Sequence, residues 1–321
     1  MLRYFIRRLL WAAVLFVAVT LVTFMIFFVV PQDPARQVCG QRATPTCIER
    51  ARHFLGLDKP VIVQYGRFLD RLVVHHSLGR SFTTRQDVTQ RVLSAAPVTA
   101  SLVFGGCVLW LMISIPIGIL SALRPRSLLD RITMVFVLVG ISAHPVWIGL
   151  LGAYFIGFKL HLVPITGYCD FFSPSGDCGG PAMWAYHLLL PWACFSVLFA
   201  ATYVRMIRAY TMETLGEDYV RTARAKGGSE AHVLRSHVLR NALLPIVTIL
   251  GMDLGLALAG AFFTETVFGL PGLGKLSLGA IDNFDLPTMQ GVVVFATLCI
   301  IVFNLAVDTI YAWVDPRIRL T

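Results

Sequence analysis

Residues 218–228 read DYVRTARAKGG, a short basic segment that lies between two long apolar stretches. Asp218 is placed to cap a helix, Tyr219 to Lys226 give about two helical turns, and Gly227–Gly228 is a typical helix stop. A helix this short, held between two longer helices, has little core of its own. The pattern is typical of either a tight connection or a docking surface for another protein.

The chain around this segment has the composition of a membrane protein. Hydrophobic residues make up 56% and charged residues 14% of it, against about 25% charged residues in soluble domains, and its mean hydropathy is +0.72. Stretches long enough to span a bilayer, which takes about 20 helical residues, occupy roughly 9–30, 98–123, 132–158, 188–207, 243–263 and 288–314. Because lipid cannot hydrogen-bond free backbone groups, we expect an all-α membrane protein with six transmembrane helices.

The distribution of Lys and Arg predicts the orientation of these helices. Basic residues gather at the N-terminus, at the C-terminus, and in the loops that follow the second and fourth spans. All four segments fall on one side of a six-span arrangement, so both termini are expected in the cytoplasm. Residues 32–97 carry ten Lys or Arg on the other side, but loops beyond about 60 residues translocate largely regardless of charge. The net charge of +9 therefore reflects topology, and no nucleic-acid partner is expected.

The seven cysteines agree with this topology. Three fall inside predicted spans: Cys107, Cys194 and Cys299. The other four fall in the two predicted outer loops: Cys39, Cys47, Cys169 and Cys178. Pairing as Cys39–Cys47 and Cys169–Cys178 closes two short loops in an oxidising compartment. Spacing alone permits three connectivities, and four unrelated thiols are the alternative.

The first outer loop contains an amphipathic pattern. Ile62, Tyr65, Leu69 and Leu72 recur at helical spacing, with polar residues between them. We expect a helix whose apolar face packs within a small subdomain of its own. Contact with the outer leaflet or with a partner is the alternative.

Several separated motifs in this chain match one known family. The coupling motif is DYVRTARAKGGSEAHVLRSHVLRNALLP at 218–245, in which Arg221 replaces the usual Glu and Ala223 keeps one of two alanines. The others are LGLDKP at 55–60, QY at 64–65, GRS at 79–81, ETVF at 265–268, PGLG at 271–274, Asn304–Leu305, Val307–Asp308, Tyr311 and Asp315–Pro316–Arg317. Together they resemble the inner-membrane permeases of binding-protein-dependent ABC importers, in the dipeptide, oligopeptide, nickel and opine group.

The resemblance implies an architecture. Residues 1–31 would form an N-terminal transmembrane helix and 32–97 an extracytoplasmic insertion. Residues 94–314 would form a type I ABC importer permease domain with its coupling segment at 208–243, and 315–321 a cytoplasmic tail. The chain would lie in a bacterial or archaeal cell membrane, with both termini in the cytoplasm.

The resemblance also implies partners. They are a second permease subunit, usually a distinct homologue in this branch, one or two ATP-binding subunits, and an extracytoplasmic substrate-binding protein. The cargo would be di- or oligopeptides, with nickel, opines or another solute as alternatives. ATP hydrolysis would belong to the partners, so no enzymatic activity and no cofactor are expected of this chain.

The family assigns ATPase coupling to the short basic helix. Here that role would fall on Asp218, Tyr219, Arg221, Ala223, Arg224, Lys226, Gly227 and Gly228. Gly227 would let the backbone approach a groove on the ATPase, and the basic side chains would pair with acidic groups there. Each exposed pair contributes only about 0–1 kcal/mol, so shape should matter more than charge. Closure of the ATPases would then switch the pathway from inward-facing to outward-facing.

Three polar residues inside the spans are candidates for the translocation path: Asp253, Asn304 and Asp308. A charge at the bilayer centre costs at least about 2.5–3.5 kcal/mol, so these side chains should face protein or water. Asn304 and Asp308 are four residues apart on one helical face, which favours a structural hydrogen bond between helices. For Asp253, that interpretation and a path residue for peptide amines are equally compatible with the sequence.

Other functional classes fit the sequence less well. GLPGLGK at 269–275 is one residue short of a phosphate-binding loop, and Leu276 stands where Ser or Thr would bind Mg²⁺. His75–His76 and His144 lack companions at metal-ligand spacing, so no metal site is expected. A secondary transporter predicts inverted repeats or interrupted helices, of which the sequence gives no convincing sign. A membrane anchor would leave the basic helix without a function.

Overall fold

The computed structural model describes residues 2–26, 34–39, 44–55, 58–172 and 178–314. Within these ranges the chain is helical, apart from turns and an isolated antiparallel bridge between Arg80 and Asp87. The helices are α1 (Leu2–Phe24), α2 (Pro34–Cys39), α3 (Pro45–Leu55), α4 (Val61–Val73), α5 (Val88–Leu123), α6 (Leu128–Ser142), α7 (Pro145–Gly152), α8 (Pro181–Leu215), α9 (Asp218–Ala225), α10 (Glu230–Val233), α11 (Arg240–Ala242), α12 (Leu244–Phe268), α13 (Leu273–Asp282) and α14 (Leu286–Val314). Two π-helical turns, Ala153–Lys159 and Leu234–Leu239, follow α7 and α10.

Four of the helices are long and apolar enough to cross a membrane by themselves. They are α1 over Ile6–Phe24, α5, α8, and α14 over Leu286–Ala306. Two bent pairs, Leu128–Ser142 with Pro145–Lys159 and Glu230–Ala242 with Leu244–Leu258, pass the same test if each pair is one span. The described residues therefore hold up to six candidate spans, in agreement with the six predicted from the sequence.

The third predicted span is broken rather than continuous. Its two halves, α6 and α7 with the following π turn, meet at an angle of 106°. His144 sits at the break with φ −71° and ψ 137°, because a residue that precedes proline is disfavoured in helical conformation. Its Nδ1 accepts a hydrogen bond from the backbone N–H of Val146 at 3.3 Å and so caps α7. The expectation of a single helix over residues 132–158 was wrong at this point.

One compact unit takes in the described residues of 1–99 and of 271–306. Within it, α4 lies against α1 and α14. The sequence had favoured a separate small subdomain for this helix, and that expectation was wrong. Phe68 is buried between Phe24 of α1 and Val294 of α14, and the Oη of Tyr65 donates to the carbonyl of Val17 at 3.1 Å. Ile62, predicted on the apolar face, is 85% exposed. The buried face is centred on Phe68.

A buried carboxylate joins the segment around Ser81 to α14. Asp285 is 3% exposed and accepts hydrogen bonds from Ser81 Oγ at 2.5 Å, Thr288 Oγ1 at 2.6 Å and the N–H of Phe82 at 3.0 Å. Arg91 NH1 lies 3.6 Å from the same carboxylate. Residues two hundred positions apart in the sequence are thereby held together.

The second compact unit comprises residues 100–270 and 307–314. Helices α5 and α8 approach closely because small residues line α5 where they meet. A Cβ at Gly105 would overlap the ring of Trp192, and one at Gly118 would lie 2.9 Å from Ile207. Trp192 Nε1 donates to the carbonyl of Ser101 at 2.9 Å, which fixes the indole against α5.

The structure contains two disulfides, Cys39–Cys47 and Cys169–Cys178. They are the pairs that close the short loops considered in the sequence analysis. Cys107 and Cys194 are free and buried, and Cys299 is free and half-buried.

Candidate functional site

The short basic helix predicted from residues 218–228 is α9, and it begins one residue earlier than expected. Its N-cap is Glu217, which makes no side-chain capping bond, so the prediction of Asp218 as the cap was wrong. The N–H of Glu217 still bonds to the carbonyl of Thr214 at 3.2 Å, in the turn that ends α8. Glu217 is therefore the residue at which the chain leaves α8 and enters α9. Asp218 is instead the first helical residue, where its charge still favours the helix dipole.

Gly227 ends this helix in a conformation that side chains rarely adopt. Its φ is +83°, and a Cβ added there would meet nothing of this chain within 4 Å. The N–H of Gly227 bonds to the carbonyl of Arg224 at 2.9 Å, and that of Gly228 to Ala223 at 3.3 Å. These bonds satisfy carbonyls at the helix end, as in other glycine-terminated helices. Gly227 therefore faces outward, with open space in front of its Cα.

A cluster of three buried valines anchors α9 to the chain that follows it. Val220 on α9 packs with Val233 of α10 and Val238 of the second π turn, and each is at most 1% exposed. Leu215 and Ala223 pack against this cluster. The helix thus has a small core of its own, formed with the chain that follows it. The orientation of α9 is fixed, because rotation of the helix about its own axis would expose the buried side chain of Val220.

Polar contacts fix the same arrangement from the sides. Arg224 donates to Glu230 through Nε at 2.9 Å and NH2 at 3.2 Å, and Asn241 Nδ2 donates to Tyr219 Oη at 2.9 Å. Two residues predicted to contact a partner, Arg224 and Tyr219, are therefore engaged within the chain. Ser229 occupies the N-cap of α10 but makes no capping bond with its side chain.

The remaining predicted residues form the outward face of α9. Arg221 and Asp218 side chains are 72% and 97% exposed and lie 3.6 Å apart. Lys226 and Gly227 are exposed at the end of the helix, and Ala223 is half-buried beneath them. We refer to Arg221, Lys226 and Gly227 as the α9 outer face. It offers two positive charges and the open backbone of Gly227, above the packed cluster of Val220, Val233 and Val238.

A buried ion pair joins α8 to α6 and was not predicted from the sequence. Its arginine lies ten residues before the start of α9. Arg208 donates to Asp130 through Nε at 2.7 Å and NH2 at 2.9 Å. Asp130, 5% exposed, also accepts from Ser121 Oγ at 2.5 Å and from the N–H of Arg126 at 2.9 Å. The sequence analysis used Arg208 and Arg126 only for orientation. A lone Asp among the arginines of a short loop was the signal that could have drawn attention to this pair.

The polar residues predicted inside the spans have different surroundings. Asp253 on α12 accepts a hydrogen bond from Tyr203 Oη of α8 at 2.8 Å, and Tyr203 is fully buried. Asp253 itself is half-buried. Asn304 on α14 is half-buried, and the side chain of Asp308 lies outside the described residues. The Tyr203 bond is an interhelical link of the structural kind considered for Asp253, and it leaves the path interpretation untested.

Comparison with protein families gives two matches that together take in almost the whole chain. Residues 114–320 match the family described as binding-protein-dependent transport system inner membrane component. Residues 1–103 match the N-terminal family of the same membrane components.

Curated relatives match over nearly their full lengths. The probable D,D-dipeptide transport system permease protein DdpB of Escherichia coli K12 is 36% identical, over 98% of this chain and 96% of the relative. The dipeptide transport system permease protein DppB of the same organism is 35% identical, over 99% of both chains. A putative peptide permease of Brucella suis biovar 1 is 37% identical over 100% of both.

A solved structure resembles the fold. An inward-facing form of the MetNI methionine ABC transporter superposes with a TM-score of 0.56, over 70% of this chain and 97% of that chain, at 17% identity. The likeness at this identity concerns the arrangement of helices.

Proposed function

The chain belongs to the family of binding-protein-dependent transport system inner membrane components, and we propose that it forms half of a peptide pathway driven by partner ATPases through α9. It is a transport subunit of an ABC importer. The observation that carries the coupling role is the α9 outer face, in which Gly227 opens onto free space while Val220 holds the helix from beneath. A rigid helix of this kind transmits a push without deforming.

Peptides are the proposed cargo. The curated relatives at 35–37% identity are named as dipeptide or peptide permeases. Nickel, opines and other solutes are the alternatives within the same group. The break at His144 is an interrupted helix of the sort that secondary transporters use, but Pro145 accounts for it, and the family match favours the ABC importer.

The proposed assembly contains a second permease, usually a distinct homologue, with one or two ATP-binding subunits. An extracytoplasmic binding protein would deliver the cargo. In the proposed orientation, α9 and both termini face the cytoplasm, because the arginines gather on that side of the spans. The outer face of α9 would enter a groove of the ATP-binding subunit, with Arg221 and Lys226 near acidic groups.

Substitution of Gly227 tests this proposal. A Cβ at Gly227 meets no atom of this chain within 4 Å, so the bulk of the indole in Gly227→Trp is expected to act on a partner, while the strain at φ +83° acts within the chain. Gly227→Asn is the matched control, because Asn also carries a Cβ at positive φ but tolerates that conformation better and is small. The readouts are co-purification of the ATP-binding subunits and the ATPase rate of the complex.

We expect Gly227→Trp to lower the affinity for the ATP-binding subunit at least about tenfold, while Gly227→Asn retains most of that affinity. A tenfold loss corresponds to about 1.4 kcal/mol of binding. If both variants bind and stimulate the ATPases like the wild type, α9 is not the coupling element. Equal loss in both would point to backbone strain at φ +83° and would also contradict docking by shape.

A further inference from the structure

The Asp130–Arg208 pair has a geometry that restricts movement more than a simple contact does. Both oxygens of Asp130 accept from the guanidinium of Arg208, at 2.7 and 2.9 Å. Two parallel bonds of this type fix the relative orientation of the groups as well as their separation. Since Asp130 is 5% exposed, water competes little for these bonds. The two helices that carry the pair are therefore held in one register.

The same carboxylate organises the hairpin formed by α5 and α6. Ser121 in the last turn of α5 and the N–H of Arg126 in the connecting loop both donate to it. Arg126 adopts a positive φ of 63° at this point. The N–H of Asp130 in turn bonds to the capping hydroxyl of Ser127 at 3.2 Å. A displacement of Arg208 thus acts at once on α5, on α6 and on their loop.

Helix α8 connects this carboxylate to the short basic helix. It continues from Arg208 to Leu215, and α9 begins at Asp218. No proline interrupts this stretch, and Thr214 and Thr211 are buried along it. Two turns of regular helix, and then Gly216 and Glu217 outside the helix, therefore separate Arg208 from α9.

Apolar side chains leave an opening at the end of the hairpin that lies nearest to α9. A pocket of about 160 Å³ is lined there by Leu123, at the end of α5, and by Leu215, Val233 and Val238. Close polar contact between the hairpin and α8 is instead made at Asp130.

We propose that Asp130 and Arg208 are positioning residues that carry the movement of α8 and α9 into the α5–α6 hairpin. The inference rests on the proposed function, since it assumes that α9 is displaced by an ATPase. The pair touches no substrate, and it acts by keeping the hairpin and α8 in one rigid body during the switch. Its loss uncouples ATP hydrolysis from rearrangement of the pathway.

The double substitution Asp130→Ala with Arg208→Ala tests the role of the pair. Removing both partners leaves no unpaired buried charge, whereas Ser121 Oγ and the N–H of Arg126 lose their acceptor. Arg131→Ala is the matched control, because Arg131 is exposed and adjacent in sequence to Asp130. The complex with the second permease and the ATP-binding subunits is purified for each variant. Its ATPase rate and its uptake of a radiolabelled dipeptide mixture into proteoliposomes are measured with the binding protein present.

A distance measurement separates a positioning role from a general defect. Spin labels are placed on exposed positions of the hairpin loop and of α8, through Arg124→Cys and Glu213→Cys, with the three free cysteines replaced by alanine. The distance is compared between the nucleotide-free state and the state trapped with ATP and vanadate. This comparison needs no substrate. It reports whether hairpin and helix move as one body.

In the wild type, we expect one narrow distance that does not change on trapping. In the double variant the distance should broaden or shift, and dipeptides transported per ATP should fall at least about fivefold, while Arg131→Ala behaves as the wild type. A double variant with unchanged distance and unchanged coupling overturns the inference. So does a wild-type distance that itself changes on trapping, or a double variant that fails to assemble, since the pair would then be a folding brace. If the wild-type complex hydrolyses no ATP, it is the proposed function that fails.

Discussion

Arg224 and Glu230 form a two-bond ion pair, at 2.9 and 3.2 Å, that closes the turn between α9 and α10. The pair lies across the glycines 227 and 228, so the two helices are tied together on either side of the exposed backbone. The basic residues of the segment therefore fall into two groups with different roles. Arg224 is occupied within the chain, whereas Arg221 and Lys226 project outward.

We predict unequal effects when these arginines are replaced. Arg221→Ala should weaken binding of the ATP-binding subunit by about 0–1 kcal/mol, since exposed ion pairs contribute little. Arg224→Ala should act on the turn, and Glu230→Ala should reproduce its effect. The measurement is a double-substitution cycle on subunit binding. Fully additive effects of Arg224→Ala and Glu230→Ala would contradict the closing role of the pair.

The core beneath α9 predicts a larger effect from a buried residue than from its exposed neighbours. Val220→Ala removes methyl groups from the cluster with Val233 and Val238, which should destabilise the helix by about 2 kcal/mol. Docking of the ATP-binding subunit should fall accordingly. Thr222→Ala, on the exposed side of the same helix, serves as the control. Equal binding of both variants would mean that α9 does not depend on this core.

How much of this site was predictable depends on the sequence separation of its parts. The helix at 218–225 and its glycine end are local patterns, and the structure has them within one residue. The cap is Glu217 and not Asp218 as predicted. Its position depends on where α8 ends, and the sequence of the short helix alone does not show that. The contact between Asp130 and Arg208 joins residues 78 positions apart, and although Asp130 stands out among the arginines of its loop, nothing local in the sequence pairs it with Arg208. The break at His144 was visible as a proline inside an apolar run and was overlooked.

Asp285 provides a prediction for the segment around Ser81. Asp285→Ala leaves Ser81, Thr288 and the N–H of Phe82 without their acceptor, which should cost about 3 kcal/mol or more, since buried donors left unpaired cost about 1–3 kcal/mol each. The segment around Ser81 should then become accessible to protease or to a thiol reagent at Ser81→Cys. Asp282→Ala, an exposed position three residues earlier, should leave accessibility unchanged. Protection that persists in Asp285→Ala would show that the segment is held by other contacts.

The cysteine arrangement predicts a specific labelling pattern. Alkylation of denatured, unreduced protein should modify the three free cysteines and spare Cys39, Cys47, Cys169 and Cys178. Reduction before alkylation should expose all four. Peptide mass spectrometry gives the answer position by position. Full alkylation of the four without reduction would contradict both disulfides and the oxidising location of these loops.

The most direct test of the account is photo-crosslinking from the outer face of α9. A benzoylphenylalanine is placed at Lys226 in the assembled complex, and in a second sample at Ile62, which is 85% exposed on α4. Irradiation at Lys226 is expected to give an adduct between this chain and an ATP-binding subunit, and irradiation at Ile62 is expected to give none. Absence of the adduct at Lys226 in a complex that hydrolyses ATP, or an equal yield from Ile62, would contradict the assignment of α9 as the coupling helix.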